Sequence, residues 1–491
     1  MTLHATGALS EAAQVCDELC NDYPRDAELV HLLATVRKDQ GRFDEARHLL
    51  QTVIELEPKN AAAHFHLASV EHARDRLAAA AACYQRAIEL KPQMTAAYVN
   101  CGNVLRQLGA LTEAVAHFRQ AAALEPDNVE ALYGLGRALS QAGDAAGAVT
   151  CLARAVKLRP GFSDLRYAHG LALLQAGELA RGWEEYEHRF DQRGSPPLRR
   201  RFDSPEWRGE SLQDRVILVW GEQGVGDELI FASLLPELAE RARLCVFECS
   251  AKLVPLLSLS LPGVQVIART DPPHEAASRA DVQIAAGSVA RWLRPDIASF
   301  PARKSFLRAE QERIEYWRAR LDQDGHGLRV GISWRSTNLT GERALYCPSI
   351  EDLEPLFALN GVTFVNLQPG DTFEELRGAR ERSSARILAF SEVDLFDDLL
   401  EAAALTSAMD LVISAPTTVS VLAASLGVPT WQLTYAAYWE SHGTDHFPWH
   451  PALRSFARFP PQRWRELTQR VAQELQAVIA RSAVASRDAH L

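Results

Sequence analysis

Two short stretches of this 491-residue chain gather hydroxyl groups, backbone amides and a carboxylate where an apolar run gives way to an amphipathic one. The first is Trp220-Gly221-Glu222-Gln223-Gly224-Val225-Gly226-Asp227, which follows Val216-Ile217-Leu218-Val219 and leads into the run Glu228 to Glu240. The second is Ser414-Ala415-Pro416-Thr417-Thr418, which follows Leu411-Val412-Ile413 and opens the run Val419 to Leu426. A helix start leaves backbone N–H groups unpaired and carries the positive end of the helix dipole, so Ser414, Thr417 and Thr418 form a seat for a phosphate. The same residues also read as an ordinary capped helix with Pro416 near its first position. Asp227, in the first turn of its helix, reads equally as a charge placed on the dipole. The first junction lacks the third glycine of a GxGxxG turn, which argues against a nicotinamide dinucleotide.

A third group of chemistry-bearing residues is His442, Asp445, His446 and His450. Three histidines on one helix face would suit a metal, but Gly443, Pro448 and Pro451 break any helix there, and no metal site is expected. Asp394, Asp397 and Asp398 are expected to cap the helix that follows them.

The elements that must hold the two junctions are legible as short apolar runs separated by helical lengths of chain: 216–220, 245–247, 264–267, 330–333, 363–367, 411–414 and 430–433. This alternation predicts parallel sheets with crossover helices, arranged as two Rossmann-like lobes with a cleft between them. Ligands of such sheets bind at the carboxyl ends of strands, where both junctions fall. Before the first strand, the stretch from Asp191 to Pro197 collects Gly, Ser and Pro and reads as a connector. After the last one, Trp464, Leu467, Val471, Leu475 and Val478 form one apolar stripe, predicting a helix packed back on the core ahead of a frayed tail.

The first two-fifths of the chain obeys a different rule. Prolines recur at Pro24, Pro58, Pro92, Pro126 and Pro160, a constant step of 34. Small residues keep the same step at Ala34, Ala68, Gly102, Gly136 and Gly170, and bulky ones at Leu50, Tyr84, Phe118, Leu152 and Tyr186. Gly41, Gly109, Gly143 and Gly177 stand where one helix must turn into the next, with Asp75 replacing the glycine in one unit. This register resembles tetratricopeptide (TPR) repeats, and the resemblance covers residues 1 to 190 with a first unit truncated to its second helix. A solenoid of such pairs leaves a concave face for an extended peptide or helix. Asn100, Asn103 and Arg106 lie on one of its helices, either as contacts to a partner's backbone or as a solvated helix face.

Bulk properties narrow the functional classes. The formal charge of −11 works against phosphate backbones, so nucleic acid is a poor partner. Eight scattered cysteines without a CxxC pair suggest reduced thiols in a cytoplasm. No secretory leader and no apolar run of about 18 residues is evident, so neither export nor a membrane span is expected.

The runs GEQGVGD, VGISWRS, FVNLQPGD, DLVISAPTTVSVLAASLGVPTW and PWHPALRSF, in that order from Asp214 to Phe456, resemble the C-terminal domain of bacterial tetratricopeptide-glycosyltransferase fusions, akin to ADP-heptose:lipopolysaccharide heptosyltransferases of glycosyltransferase family 9. The resemblance implies an α + α/β chain: TPR repeats at 1–190, a linker at 191–212, an acceptor-side lobe at 213–306, a donor-side lobe at 307–459 in a GT-B arrangement, and a terminal helix and tail at 460–491. It implies an inverting transfer, without cofactor or metal, from a nucleotide-sugar substrate to a hydroxyl of an acceptor. That acceptor would be a protein recruited by the repeats, with flagellin or another surface protein among the possibilities. Asp227 would be the general base. Arg335, or Arg343 in the loop from Asn338 to Leu345, would neutralise the donor phosphates. Gly224, Gly226, Ser414, Thr417 and Thr418 complete the implied donor site. Pro416 and Val421 stand where the family has an acid and a histidine. Two alternatives therefore stay open: an adaptor whose α/β part has lost its chemistry, and a transferase for a saccharide or lipid-linked acceptor.

Overall fold

The 34-residue register becomes geometry through one recurring contact, sixteen residues from each small position to a large one. A Cβ on Gly102 would lie 2.9 Å from the Phe118 ring, one on Gly136 2.5 Å from the Leu152 side chain, and one on Gly170 2.8 Å from the Tyr186 backbone nitrogen. At these three positions a Cβ would press on the facing helix, whereas the earlier pairs accept alanine at Ala34 and Ala68. Phe118 also fills the space to the following pair, since a Cβ on Gly134 would fall 2.2 Å from its ring.

The computed structural model describes residues 9–193, 199–323, 327–339, 341–435, 438–459 and 462–488. The helices of the first part run Leu9–Asp22, Ala27–Asp39, Phe43–Leu56, Ala61–Ala73, Leu77–Leu90, Thr95–Gln107, Leu111–Leu124, Val129–Gln141 and Ala145–Leu158. Asp26, Asn60 and Asn128 cap first helices of pairs by accepting backbone N–H groups. At the turn within a pair, the chain passes through a left-handed residue, as at Gly109 with φ +77°. The Gly109 N–H bonds to Arg106 and the Ala110 N–H to Leu105. Asp75 adopts the same conformation at φ +58° and closes the same pair of bonds, so the turn survives without glycine.

The chain divides into two compact units, Met1–Pro160 and Gly161–Leu491. The last helix pair, Ser163–Gln175 and Leu179–Tyr186, keeps the repeat register but belongs to the second unit. There it shares a core with the α/β elements: Leu174, Leu179, Trp183 and Tyr186 are buried with Phe231, Leu293 and Trp449. The Trp183 indole N–H donates to the carbonyl of Arg294 at 2.8 Å.

The rest of the second unit holds two all-parallel sheets. One has strands β1 (Val216–Trp220), β2 (Leu244–Cys249), β3 (Val264–Ala268) and β4 (Val282–Ala285) in the order β3-β2-β1-β4. The other has β5 (Leu328–Ser333), β6 (Val362–Asn366), β7 (Arg386–Leu388), β8 (Leu411–Ser414), β9 (Thr430–Tyr435) and β10 (Leu453–Arg458) in the order β10-β9-β8-β5-β6-β7. Every residue of β1, β6, β8 and β9 is buried, as expected of strands covered by helices on both faces. Strand order reverses between β1 and β4 in the first sheet and between β5 and β8 in the second. These are the crevices where open parallel sheets hold ligands. Among the described residues, no helix is long and apolar enough to cross a membrane.

Gly170→Ala isolates the helix-pair contact. Alanine inside a helix is normally the better residue by about 0.5–1 kcal/mol, but here its Cβ meets backbone atoms of Glu185 and Tyr186, which cannot swing aside. We expect a loss of about 1–3 kcal/mol in urea denaturation; an unchanged or raised midpoint would contradict the close packing.

Candidate functional site

Both strand-to-helix junctions end at one groove of about 870 Å³, lined by segments that follow the carboxyl ends of β1, β5, β6, β8 and β9. The helix Val225–Ala232 leaves β1 and the helix Thr418–Ser425 leaves β8, and their first turns face each other. A Cβ on Gly226 would stand 3.6 Å from Thr418 Oγ1. Gly224, Gly226, Asp227, Arg335, Thr417 and Thr418 all line this groove.

The first wall is anchored by a buried ion pair that sequence reasoning missed. Arg189, just after the last repeat helix, donates from Nε and Nη2 to the Glu222 carboxylate at 2.8 and 2.6 Å, and from Nη2 to Ser288 Oγ at 2.8 Å. Its guanidinium also lies over the Tyr186 and Phe190 rings. Burial alone works against its charge, but the Glu222 carboxylate outweighs it and holds Arg189 firmly protonated. Glu222 Oε1 also accepts the Gly287 N–H at 3.1 Å. The residue that follows, Gln223, takes a left-handed φ of +61° and donates to the Tyr186 hydroxyl at 2.9 Å. The turn from strand to helix is thus held from the repeat side and from the sheet side at once.

Asp227 accepts the Gly224 N–H at 3.1 Å, so it does serve its helix start, and it lines the groove as well. Its neighbour Glu228 is buried; burial pushes its carboxyl upward, while the Ser250 N–H and the Arg269 guanidinium hold it in place. Glu228 belongs to the scaffold.

The second wall is tied together by Gln368, whose Oε1 accepts from Ser333 Oγ, the Trp334 N–H and the Arg335 N–H, each at 3.0 Å. This single amide joins the two runs VGISWRS and FVNLQPGD. Arg335 reaches the groove, but its guanidinium is engaged: Nη2 donates to Glu375 at 2.6 Å and to the Asp371 carbonyl at 2.9 Å. Arg343 falls in the short helical turn Gly341–Tyr346, and its side chain lies outside the described residues. Ser414 is buried beneath the groove, with Oγ 3.4 Å from Thr417 Oγ1. It supports Thr417 from below. Pro416 and Val421 line the groove as apolar surface.

Three further groove residues carried little signal in the sequence. Lys252 follows β2 and donates to the Phe396 carbonyl at 3.0 Å, with its ammonium 3.6 Å from that ring's centre. Tyr167, on the first helix of the last repeat pair, forms part of the wall beside Asp227. Glu440 lies on the short turn Trp439–Ser441 after β9. A lone lysine beyond a buried strand is a weak hint; Tyr167 and Glu440 offered none.

The histidines serve packing. His442 takes the Trp449 indole N–H on Nε2 at 3.0 Å within a ring cluster with Trp183 and Trp439, and burial lowers it to about 4. His450 stacks on Phe306 and Phe447 and is lowered by burial to about 3. His446 pairs with Asp445 at the surface. Asp398 caps the helix Leu399–Ser407 as expected, whereas Asp394 accepts the N–H groups of Phe396 and Asp397 in its own turn, and Asp397 faces Lys252. On the repeats, Arg106 is buried and reaches Gln141 on Val129–Gln141, while Asn100 and Asn103 are half-buried.

Models of the tetratricopeptide repeat match residues 31–95 and 135–187, and a TPR repeat model matches 102–143. The helix pairs are tetratricopeptide repeats. Protein FlbA of Caulobacter vibrioides is 35% identical over 311 residues, 60% of this chain and 52% of that protein, so the chain spans about half the length of this curated relative. The crystal structure of MamA is 23% identical over 32% of this chain and 93% of its own, with a TM-score of 0.31. The corresponding figures for YrrB, described as a TPR protein with an unusual peptide-binding site, are 19%, 37%, 93% and 0.33.

The Arg189–Glu222 pair generates a stability prediction. Arg189→Met strands the Glu222 carboxylate, and we expect a loss of about 3–5 kcal/mol in chemical denaturation. Adding Glu222→Gln to that variant should restore part of the loss; a double variant as unstable as the two single losses combined would show that the residues act independently.

Proposed function

We propose that the TPR repeats recruit a protein and that the groove transfers a sugar from a nucleotide-sugar donor to one of its hydroxyl groups. The observation that supports this most directly is the meeting of two strand-to-helix junctions across one groove, a carboxylate at the first and an amide-rich, hydroxyl-bearing helix start at the second. In this reading Asp227 takes the proton of the acceptor hydroxyl as its oxygen bonds to the anomeric carbon. The bond from that carbon to the donor phosphate breaks, and its electron pair leaves with the nucleotide. The N–H groups and hydroxyls of Thr417 and Thr418, with Lys252, spread the charge that builds there. Tyr167 puts the last repeat pair in the wall beside Asp227.

A second reading, a protein-binding adaptor without catalysis, has its own support. The Arg335 charge is already met by Glu375, and Pro416 and Val421 bring no acid or base to the groove. The comparisons with the repeats also bear on protein binding alone.

Binding to the folded state must raise the melting temperature, so a panel of nucleoside diphosphates separates the two. The transferase reading expects a rise with at least one of them, and no rise with any leaves the adaptor. With a binding nucleotide in hand, Asp227→Asn should cut transfer by about a hundred- to ten-thousand-fold while leaving nucleotide affinity near that of the wild type. Transfer that persists would remove Asp227 as the base.

A further inference from the structure

Among the described residues, Glu440 is the one acidic side chain lining the groove that the transfer scheme does not use, and it is badly placed to be an ordinary anion. It sits on the turn Trp439–Ser441, which the ring contacts of Trp439 with Trp183, Tyr186 and His442 fix against the last repeat helix. It lines the groove, and its Oε2 is shut off from solvent with no hydrogen-bond partner among the described residues; the residue's own backbone N–H bonds to the carboxyl group and favours the anion, but burial outweighs it. A buried carboxylate oxygen without a donor is costly; a carboxylic acid in the same place carries no charge and has an O–H to give.

Among the described residues, the titratable groups facing Glu440 are the Asp227 carboxylate from the opposite wall, the Tyr167 phenol from the last repeat pair and the Tyr438 phenol from its own turn. None is a cation. Burial pushes Tyr167 up to about 12 and Tyr438 well above its ordinary range, and His442 nearby stays neutral. Nothing among these groups favours an anion at Glu440, and Asp227 opposes one.

We propose that Glu440 is a neutral carboxylic acid standing beside the Asp227 carboxylate, and that its neutrality lets the groove accept the anionic diphosphate of a nucleotide. This rests on the nucleotide-binding reading above. Glu440 is then a specificity-determining residue: ionised, it sets a second negative charge against the diphosphate. The first consequence is seen without ligand. Burial and the Asp227 charge raise Glu440 to about 8, so the folded chain holds a proton that the unfolded chain releases in the usual carboxylate range. The contribution of Glu440 to stability therefore falls as pH rises between those limits, and Glu440→Gln removes that fall.

The experiment takes full-length wild type and Glu440→Gln through melting curves from about pH 5 to 9 and measures their affinity for uridine, guanosine and adenosine diphosphate across the upper part of that range. The melting temperature of the variant should gain on wild type as pH rises to about 8; a constant difference would overturn the neutral-acid assignment. For the diphosphate that binds, wild type should weaken by at least about threefold on passing from below to above the Glu440 titration, with the variant nearly flat. Parallel weakening of both proteins would overturn the ligand role. If no diphosphate binds wild type, the nucleotide reading falls and takes the ligand role with it, while the ligand-free curves still decide whether Glu440 carries the proton.

Discussion

The buried pair Arg189–Glu222 is the constraint on which the second unit turns. It stands where the helical repeats end and the first wall of the groove begins, and it satisfies both at once. Arg189 cannot give up its charge, so it must be paired where it is buried, and Glu222 is held in place by the close β1–β4 packing that brings the Gly287 N–H to it. With that distance set, Gln223 meets Tyr186, Gly224 starts the helix, and Asp227 is delivered to the groove. Removal of one partner would leave the other charge buried and alone. The turn therefore depends on the last repeat pair as much as on its own strand.

That dependence explains which parts of the molecule were legible in the sequence. The repeats announce themselves because one contact, from a small residue to a bulky one sixteen positions on, is copied in each unit. The two sheets are legible as alternating apolar runs, and the groove as the pair of junctions at their carboxyl ends. The expected repeat region, 1–190, reaches beyond the first compact unit because periodicity records how helices pair. It is blind to which core they join: Trp183 and Tyr186 keep the register of their predecessors but bury themselves against Phe231 and Trp449.

The rest was hidden for a related reason. Arg189, Gln368 and Glu440 act through partners 33, 34 and 213 positions away or thereabouts, and no local pattern links such pairs. Gln368 lay inside a run that the family resemblance singled out, so its neighbourhood was marked without its role. Arg335 shows the converse. The resemblance pointed to it as a phosphate ligand, and it does face the groove, but Glu375 and the Asp371 carbonyl already hold its guanidinium. For it to meet a donor phosphate it must share or exchange that partner. A sequence motif names the residue type; the fold decides how much of its charge remains to be offered.

Charge is the quantity that decides what this groove can do. Among the described residues its cations are already engaged, Arg335 by Glu375 and Lys252 by the Phe396 ring and Asp397, while Asp227 and Glu440 are its acids. Two full negative charges would oppose a diphosphate, yet a groove with none would offer no base for the proton of a hydroxyl. The arrangement escapes this conflict only if the two carboxyl groups differ in charge. Asp227 accepts a backbone N–H at a helix start, a setting that favours the anion, whereas at Glu440 burial and an enclosed oxygen outweigh the residue's own backbone N–H and favour the acid. The difference between the two environments, rather than the presence of two acids, is what the proposed base chemistry and phosphate binding would require of one groove.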